Sequence, residues 1–454
     1  MTTTLNQTKA LPVVPSSGGC CGGSVPVQNT GAKEDIKEMV KEYYGNAVQK
    51  KSGCCSKTPS GIGTAATVTE LAGYRDDVLA SIPQAAAESS FGCGDPLAFA
   101  GVQAGQTVLD LGSGAGIDCF IASQKVGPEG KVIGLDMTPA MLAAARRNAK
   151  EGGYTNVEFR KGEAEDMPVE NASVDWVISN CVINLSPDKQ KVFAEINRVL
   201  KPGGRISISD IVAEGLPDFV LNDSSSYCGC VGGALPAAEY FRGLTQAGLV
   251  EVKAESRLDY TPEMIRGFLL SDENLSARYG AIVETNPALL ETVKISSLKI
   301  VGRKPLADEQ VALNVRAAHA EDRAAMTQLL VASGLPEAGL EHAMRDAFVA
   351  EHNGYLLGAI AFERYGSDAL VRSFVVAEGW RKRNVGTQLW NALQKHAKQS
   401  EIATFYLLTT TIPELAKRAG FEVVAREDVP AAVRKSVEFE LSGCATAATM
   451  RLRI

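Results

Sequence analysis

Histidine is almost missing from this 454-residue chain, and its first 300 residues contain none: only His319, His342, His352 and His396 occur, all in the last third. Chemistry in the front part is therefore done without an imidazole base or an imidazole ligand. No stretch of about 18 apolar residues is present to cross a membrane. The opening MTTTLNQTKALPVVP lacks the apolar run that a secretory signal needs. Basic charge is not in excess either. The formal net charge of -7 excludes a dominant nucleic-acid surface. A CxxC knuckle of the structural zinc kind is also absent.

What the chain does hold is cysteine. Nine of the ten (Cys20, Cys21, Cys54, Cys55, Cys93, Cys119, Cys181, Cys228 and Cys230) precede the histidines, and Cys444 follows them. Without a secretory signal the expected compartment is reducing cytoplasm, where clustered cysteines are metal, redox or catalytic groups before they are structural disulfides. A length of 454 residues with 45% hydrophobic content predicts two or three packed cores.

Residues 1–30 are polar, rich in Gly, Ser and Pro, and read as a flexible tail carrying Cys20 and Cys21. Glu34 to Tyr44 reads as an amphipathic helix ended by Gly45, followed by a Gly/Ser/Thr-rich loop with Cys54 and Cys55. From 107 to 212 the runs TVLDLG, KVIGLD, VEFRKG, VDWVISN and RISISDI alternate with helical segments, the βαβ signature of a parallel sheet. SLKIVG would close this unit. A break near 302–310 then separates a first domain, 31–305, from a second, 311–454.

After the first strand comes Asp110-Leu111-Gly112-Ser113-Gly114-Ala115-Gly116, and the second strand ends in Asp136-Met137. Glycines at a strand end let backbone approach a ligand, and an acid on the next strand can take both ribose hydroxyls. The spacing is GxGxG behind an acid, not the GxGxxG of a dinucleotide site. It suits a nucleoside with an amino-acid tail and a sulfonium, S-adenosylmethionine. Glu163, Glu165 and Asp166 form an acidic loop after the third strand, where an adenine amino group would lie, although Glu165 and Asp166 individually read as solvated.

Ligands of such sheets bind at the carboxyl ends of the strands. Cys181, beside Asn180, follows the fourth strand; Cys93 precedes the first; Cys228 and Cys230 follow the fifth; Cys119 reads as a core thiol. Thiolates select soft acceptors. Trivalent arsenic or antimony bound by three sulfurs keeps a lone pair, the nucleophile a sulfonium methyl requires, so no general base is needed.

Residues 34 to about 300, through YYG, CC, FGCG, VLDLGSGAGIDCF, IGLDMTPAML, NCVINLSPDK, LKPGGRISISDI and CVGGAL, resemble the arsenite S-adenosylmethionine methyltransferases. The resemblance implies a Rossmann-like class I methyltransferase with a C-terminal substrate-side subdomain. It implies Cys93, Cys181 and Cys230 as arsenic ligands, and one of Cys54 and Cys55 as a thiol that delivers arsenic or closes a disulfide. It implies Gly112, Gly114, Gly116, Asp136 and Met137 at the cofactor. Arsenite would become mono- and dimethylated products, with glutathione-type thiols or thioredoxin restoring the reduced state. Two rivals remain at this point: a methyltransferase acting on carbon or oxygen, and a thiol-based metalloid sensor without turnover.

In the second unit, two helices, the strands GYLLGAIAFERYG and ALVRSFVVAEGW, and the loop Arg381-Lys382-Arg383-Asn384-Val385-Gly386-Thr387 open a further helix. A basic glycine-bearing loop at a helix N-terminus is a pyrophosphate site. The unit resembles the α+β GNAT acyltransferases of the arsenic-resistance kind, which implies acetyl-CoA held by Arg381, Arg383, Gly386 and Thr387. Asn384 stands where the first loop glycine is usual, and Ala416 where many GNAT enzymes keep a tyrosine acid. Glu363 is read either as a base acting through water or as a solvated side chain. Cys444 is read either as a core thiol or as a relay for arsenic.

Overall fold

The computed structural model describes residues 33–49, 74, 76–87, 94–98, 100–271 and 273–454. Cys20, Cys21, Cys54, Cys55 and Cys93 lie outside the described residues. Two seven-stranded sheets organise the chain. The first contains β1 (Thr107–Leu111), β2 (Lys131–Asp136), β3 (Val157–Lys161), β4 (Val174–Asn180), β5 (Leu200–Glu214), β6 (Val250–Asp259) and β7 (Lys294–Arg303) in the order β3-β2-β1-β4-β5-β7-β6. The five strands read from the sequence run parallel. SLKIVG falls in β7, which pairs antiparallel with β5. The edge strand β6 has no apolar signal to find, because most of its residues are exposed.

Both faces of the parallel region are covered, so its strands are apolar on both sides. Leu109 and Leu111 face one core with Phe193, Ile196, Tyr240 and Leu244 from helices Lys189–Val199 and Ala237–Gln246. Val108 faces the other, with Phe120, Ile121, Leu142 and Ala145 from helices Ile117–Val126 and Pro139–Glu151. Strand order reverses at β1, which lies between β2 and β4 and so opens a crevice beyond its carboxyl end. Over that crevice lies helix Lys33–Gln49, which runs through Gly45 instead of stopping there. Glycine costs a helix only about 1 kcal/mol, and Val40 docked with Tyr227 and Cys228 outweighs it.

The second sheet contains β8 (Asn314–Ala317), β9 (Ala347–His352), β10 (Tyr355–Tyr365), β11 (Asp368–Val376), β12 (Thr404–Thr409), β13 (Glu422–Val423) and β14 (Ala448–Arg453), in the order β13-β14-β12-β11-β10-β9-β8. Parallel pairing of β11 with β12 stops at Val371↔Leu407, although β11 continues to Val376. Helix Val385–Gln399 follows, burying Val385, Leu389, Leu393 and Ala397 at four-residue spacing against this core.

The two units touch. Trp380 is buried, and its indole N–H donates to the Thr245 carbonyl at 2.6 Å. Gln246 Nε2 donates to the Leu356 carbonyl at 2.9 Å, and Val250 joins the second unit's core.

Candidate active site

The glycine loop turns back under the second strand. Gly112 and Ser113 donate their N–H groups to the Leu135 carbonyl at 2.8 and 2.9 Å. Gly112 has φ 73°, and a Cβ there would lie 2.2 Å from Val182, so only glycine fits. Asp136 accepts from Gly114 N–H at 2.9 Å and from Thr138 N–H at 2.7 Å, which locks the second-strand acid to the loop. Gly112, Ser113, Gly114, Asp136, Met137, Glu165, Asn180 and Cys181 all line one pocket. The space beside Gly114 is open, and the buried Ser113 Oγ has no hydrogen-bond partner, so the walls fit a polar ligand lying along the loop.

Asp110 and Glu165 are placed differently from the sequence reading. Asp110 does not reach the pocket wall. It is buried beneath the loop, where Cys119 Sγ donates to it at 3.1 Å, and burial pushes its carboxyl up to about 7. In its place Asp118, in the first turn of the helix after the loop, lines the wall together with Asp136 and Glu165. Burial, then the neighbouring Asp110, raises its pKa well above the usual range. Glu165 is not solvated. It is buried and accepts from Ser186 Oγ at 2.5 Å, whereas Asp166 is exposed.

Asn180 ties the pocket mouth together. Its amide donates to the Tyr74 hydroxyl at 2.9 Å, the Gly94 carbonyl at 2.5 Å and Asp118 at 3.2 Å, and Tyr74 donates to Asp118 at 2.8 Å. On the other side, Lys37, Val40 and Tyr44 of helix Lys33–Gln49 line the same pocket. Lys37 pairs with Glu163 at 2.5 Å and approaches Glu165 at 3.7 Å. Asp118, Tyr74, Lys37 and Tyr44 were not singled out by sequence, because each gains its role from a partner far away in the chain.

Of the three thiols read as arsenic ligands, Cys181 and Cys230 meet. Cys230 Sγ donates to the Cys181 carbonyl at 2.9 Å, and both pack with Ile211. Both residues hold positive φ, 56° and 63°, a conformation that costs a non-glycine residue and recurs at functional sites. Cys181 is disulfide-bonded, so it stands oxidised and not as a free ligand, whereas Cys119, Cys228, Cys230 and Cys444 are free thiols. Burial raises the Cys230 thiol pKa, and Asp210 adds to the rise. Cys228 packs with Tyr227 and Val40 in a different cluster, and burial pushes its thiol up to about 12. Cys119 is fully buried, as expected of a core thiol.

Below the thiols lies a buried network that the sequence reading missed. Asp210 accepts from Asn184 Nδ2 at 2.8 Å and from the Tyr240 hydroxyl at 3.0 Å, and burial pushes its carboxyl up to about 7. The same Asn184 amide reaches the Cys230 carbonyl at 3.3 Å. Lys189, pushed down to about 8 by burial, interacts electrostatically with Asp210 and Cys230. Among the described residues, no three His, Cys, Asp or Glu side chains converge as a metal cluster.

In the second unit Asn384 takes φ 62°, ψ 5° at the N-cap of helix Val385–Gln399. Asparagine tolerates the left-handed region, so it supplies the turn usually left to glycine. Arg381 is exposed, and Gly386 and Thr387 lie in the helix's first turn. Arg383, read as a phosphate clamp, lies instead over the Trp380 ring at 5.3 Å and faces the Gly248 carbonyl at 3.4 Å. Glu363 is not solvated either. It is buried, ion-paired with Arg372, and accepts from the Tyr365 hydroxyl at 2.6 Å. Ala416 is buried on its short helix. Cys444 is partly buried against Leu370, Tyr406 and Val433.

Residues 103–266 match the methyltransferase domain family, and residues 319–421 match the acetyltransferase (GNAT) family. An arsenite methyltransferase from Halobacterium salinarum is 46% identical over 230 residues, which is 48% of this chain and 59% of that protein. One from Aquipseudomonas alcaligenes is 38% identical over 213 residues, 44% of this chain and 58% of its own length. The match thus spans under two thirds of each relative. A solved arsenic(III) S-adenosylmethionine methyltransferase from Chlamydomonas reinhardtii is 32% identical, covering 53% of this chain and 77% of its own, with a TM-score of 0.42. No described helix is long and apolar enough to cross a membrane. The chain therefore joins a class I S-adenosylmethionine methyltransferase domain, homologous to the arsenite methyltransferases, to a C-terminal GNAT domain.

Proposed function

We propose that this chain methylates trivalent arsenic, taking arsenite to mono- and dimethylated products. The observation that carries the reading is the meeting of Cys181 and Cys230 beside the glycine-loop pocket. S-adenosylmethionine, when bound, supplies an electrophilic methyl group. The chain's residues do the rest. Asp136 and the glycine loop hold the nucleoside end, Asp118 and Ser113 face its charged tail, and helix Lys33–Gln49 covers it. Cys181 and Cys230, with Cys93 as the third thiol, hold arsenic so that its lone pair faces the methyl group. That lone pair makes a general base unnecessary. The disulfide at Cys181 must first be opened by a reductant, glutathione-type thiols or thioredoxin, which supplies two electrons and leaves as its own disulfide.

For the C-terminal domain, the reading is acetyl-CoA binding, with the pyrophosphate at the N-terminus of helix Val385–Gln399 near Arg381, Gly386 and Thr387. Transfer of the acetyl group would need an acid other than position 416. The locked Glu363–Arg372 pair favours binding over turnover.

The test is incubation of the full chain with methyl-labelled S-adenosylmethionine, arsenite and glutathione. Labelled methylarsenicals are expected, with loss of at least about a hundredfold in Cys181→Ser and in Cys230→Ser. No label on arsenic, or full activity in both variants, would overturn the reading. Calorimetric titration with acetyl-CoA tests the second domain.

A further inference from the structure

Helix Lys33–Gln49 covers the cofactor pocket, and Tyr44, in its C-terminal half, lines that pocket with Met137, Leu185 and Cys181. The same side chain also reaches the thiols. Its hydroxyl donates to the Cys228 carbonyl at 2.8 Å and is a hydrogen-bonding neighbour of the Cys230 sulfur. One residue therefore borders both the cofactor pocket and a thiol of the proposed arsenic site.

Tyr44 precedes Cys228 by 184 residues, so these contacts exist only while the helix is docked. Val40 docks it against Tyr227 and Cys228, and Lys37 holds it to Glu163. Lys37 and Val40 line the pocket as well, so a ligand that fills the pocket touches this face of the helix and favours the docked arrangement. The same docking brings the hydroxyl to Cys230.

The proton on Cys230 shows what the hydroxyl is for. In the free thiol that proton is donated to the Cys181 carbonyl at 2.9 Å. When arsenite condenses with Cys230, an As–S bond forms, an As–O bond breaks, and the thiol proton leaves with the hydroxide as water. The sulfur then has no hydrogen to donate and can only accept. The Tyr44 O–H is a donor within its reach, able to turn from the Cys228 carbonyl to the sulfur.

We propose that Tyr44 is a positioning residue that couples cofactor binding to arsenic binding: S-adenosylmethionine keeps the helix docked, and the helix presents the Tyr44 hydroxyl to the sulfur that carries arsenic. The inference rests on the arsenite reading above. Coupling is reciprocal, so arsenic on Cys230 tightens the cofactor by the same factor. One hydrogen bond to the sulfur corresponds to about threefold to tenfold.

S-adenosylhomocysteine, which keeps the nucleoside and amino-acid ends but has no methyl group to transfer, is the probe. Its affinity for the full chain reduced with a phosphine is measured by calorimetry, with and without saturating arsenite, for wild type and Tyr44→Phe. Arsenite is expected to tighten it about threefold to tenfold in the wild type. Tyr44→Phe keeps the ring and loses the hydroxyl. Its affinity without arsenite is expected within about twofold of wild type, and arsenite no longer tightens it. An arsenite effect preserved in the variant overturns the role of Tyr44, as does a loss of affinity that is equal with and without arsenite. No arsenite effect in a wild type that binds arsenite by equilibrium dialysis overturns the coupling. Failure of the wild type to bind arsenite in that dialysis overturns the arsenic reading itself.

Discussion

Asp110 holds an unusual position for an acid beside a cationic cofactor: buried, off the pocket wall, and coupled electrostatically to Asp118 and Asp136. Burial raises its carboxyl from 3.8 to about 7. The folded chain therefore binds this proton more tightly than the unfolded chain does. The resulting stability is present at low pH and is lost as pH rises toward and through 7. Cofactor binding has the opposite sign, because a sulfonium favours the carboxylate. S-adenosylmethionine affinity is expected to rise by up to about tenfold between pH 6 and pH 8, then level off. Calorimetry across that range checks it, and Asp110→Asn should flatten the rise. A slope unchanged in the variant would remove Asp110 as its source. The glycine loop, Asp136 and the place of Cys181 were legible in sequence because strand ends and turn residues announce them, whereas Cys230 was set apart from Cys228 only by the family resemblance. Asp118 was not, since its meaning depends on Tyr74 and Asn180, which approach from other parts of the chain.

Among the elements, helix Lys33–Gln49 is the one whose length the sequence misjudged and whose placement matters most. Gly45 looked like a stop, yet the helix continues because Val40 and its neighbours find a core against Tyr227 and Cys228. Tertiary burial decided what propensity alone could not. The central strands β1, β2 and β4 were the opposite case: largely buried apolar runs between turn signals, readable without any partner. Three lysines fasten the helix to the pocket rim: Lys33 to Asp188 at 2.6 Å, Lys37 to Glu163 at 2.5 Å, and Lys41 to Glu163 at 3.9 Å. Lys37 is the most buried of the three. Lys37→Ala is expected to speed S-adenosylmethionine dissociation by about threefold to tenfold, allowing for partial screening. Stopped-flow displacement measures that rate. A rate equal to wild type would mean that the helix covers the pocket without holding its contents.

At the scale of the whole molecule, the basic loop of the GNAT domain faces two ways. Arg381 stays exposed, while Trp380 and Arg383 are committed to the methyltransferase domain. Burial lowers the Arg383 pKa, as expected of a guanidinium drawn off the surface. The contact is backbone on backbone. A Cβ on Gly379 would lie 2.0 Å from the Ala247 carbonyl oxygen and 2.4 Å from Gly248 N. Those are main-chain atoms that cannot swing aside, so Gly379→Ala must part the domains locally or displace residues 245–248. The expected destabilisation is about 1–3 kcal/mol, the usual cost of overpacking. It should come with a red-shifted tryptophan emission as Trp380 meets water and with faster proteolysis near residues 304–313. Trp380→Phe loses the hydrogen bond to Thr245 and part of the buried ring under Arg383 but forces no backbone apart, so it should cost about 1–3 kcal/mol and leave emission from the remaining tryptophans unshifted. Helix Ala237–Gln246 carries both Thr245, at this contact, and Tyr240, bonded to Asp210 beneath the thiols. Displacing residues 245–248 therefore reaches the proposed arsenic site, the Cys181–Cys230 pair, through one rigid element. Gly379→Ala should slow arsenite methylation in step with its loss of stability. Wild-type kinetics in a variant with the domains demonstrably parted would show that the two units only share a chain.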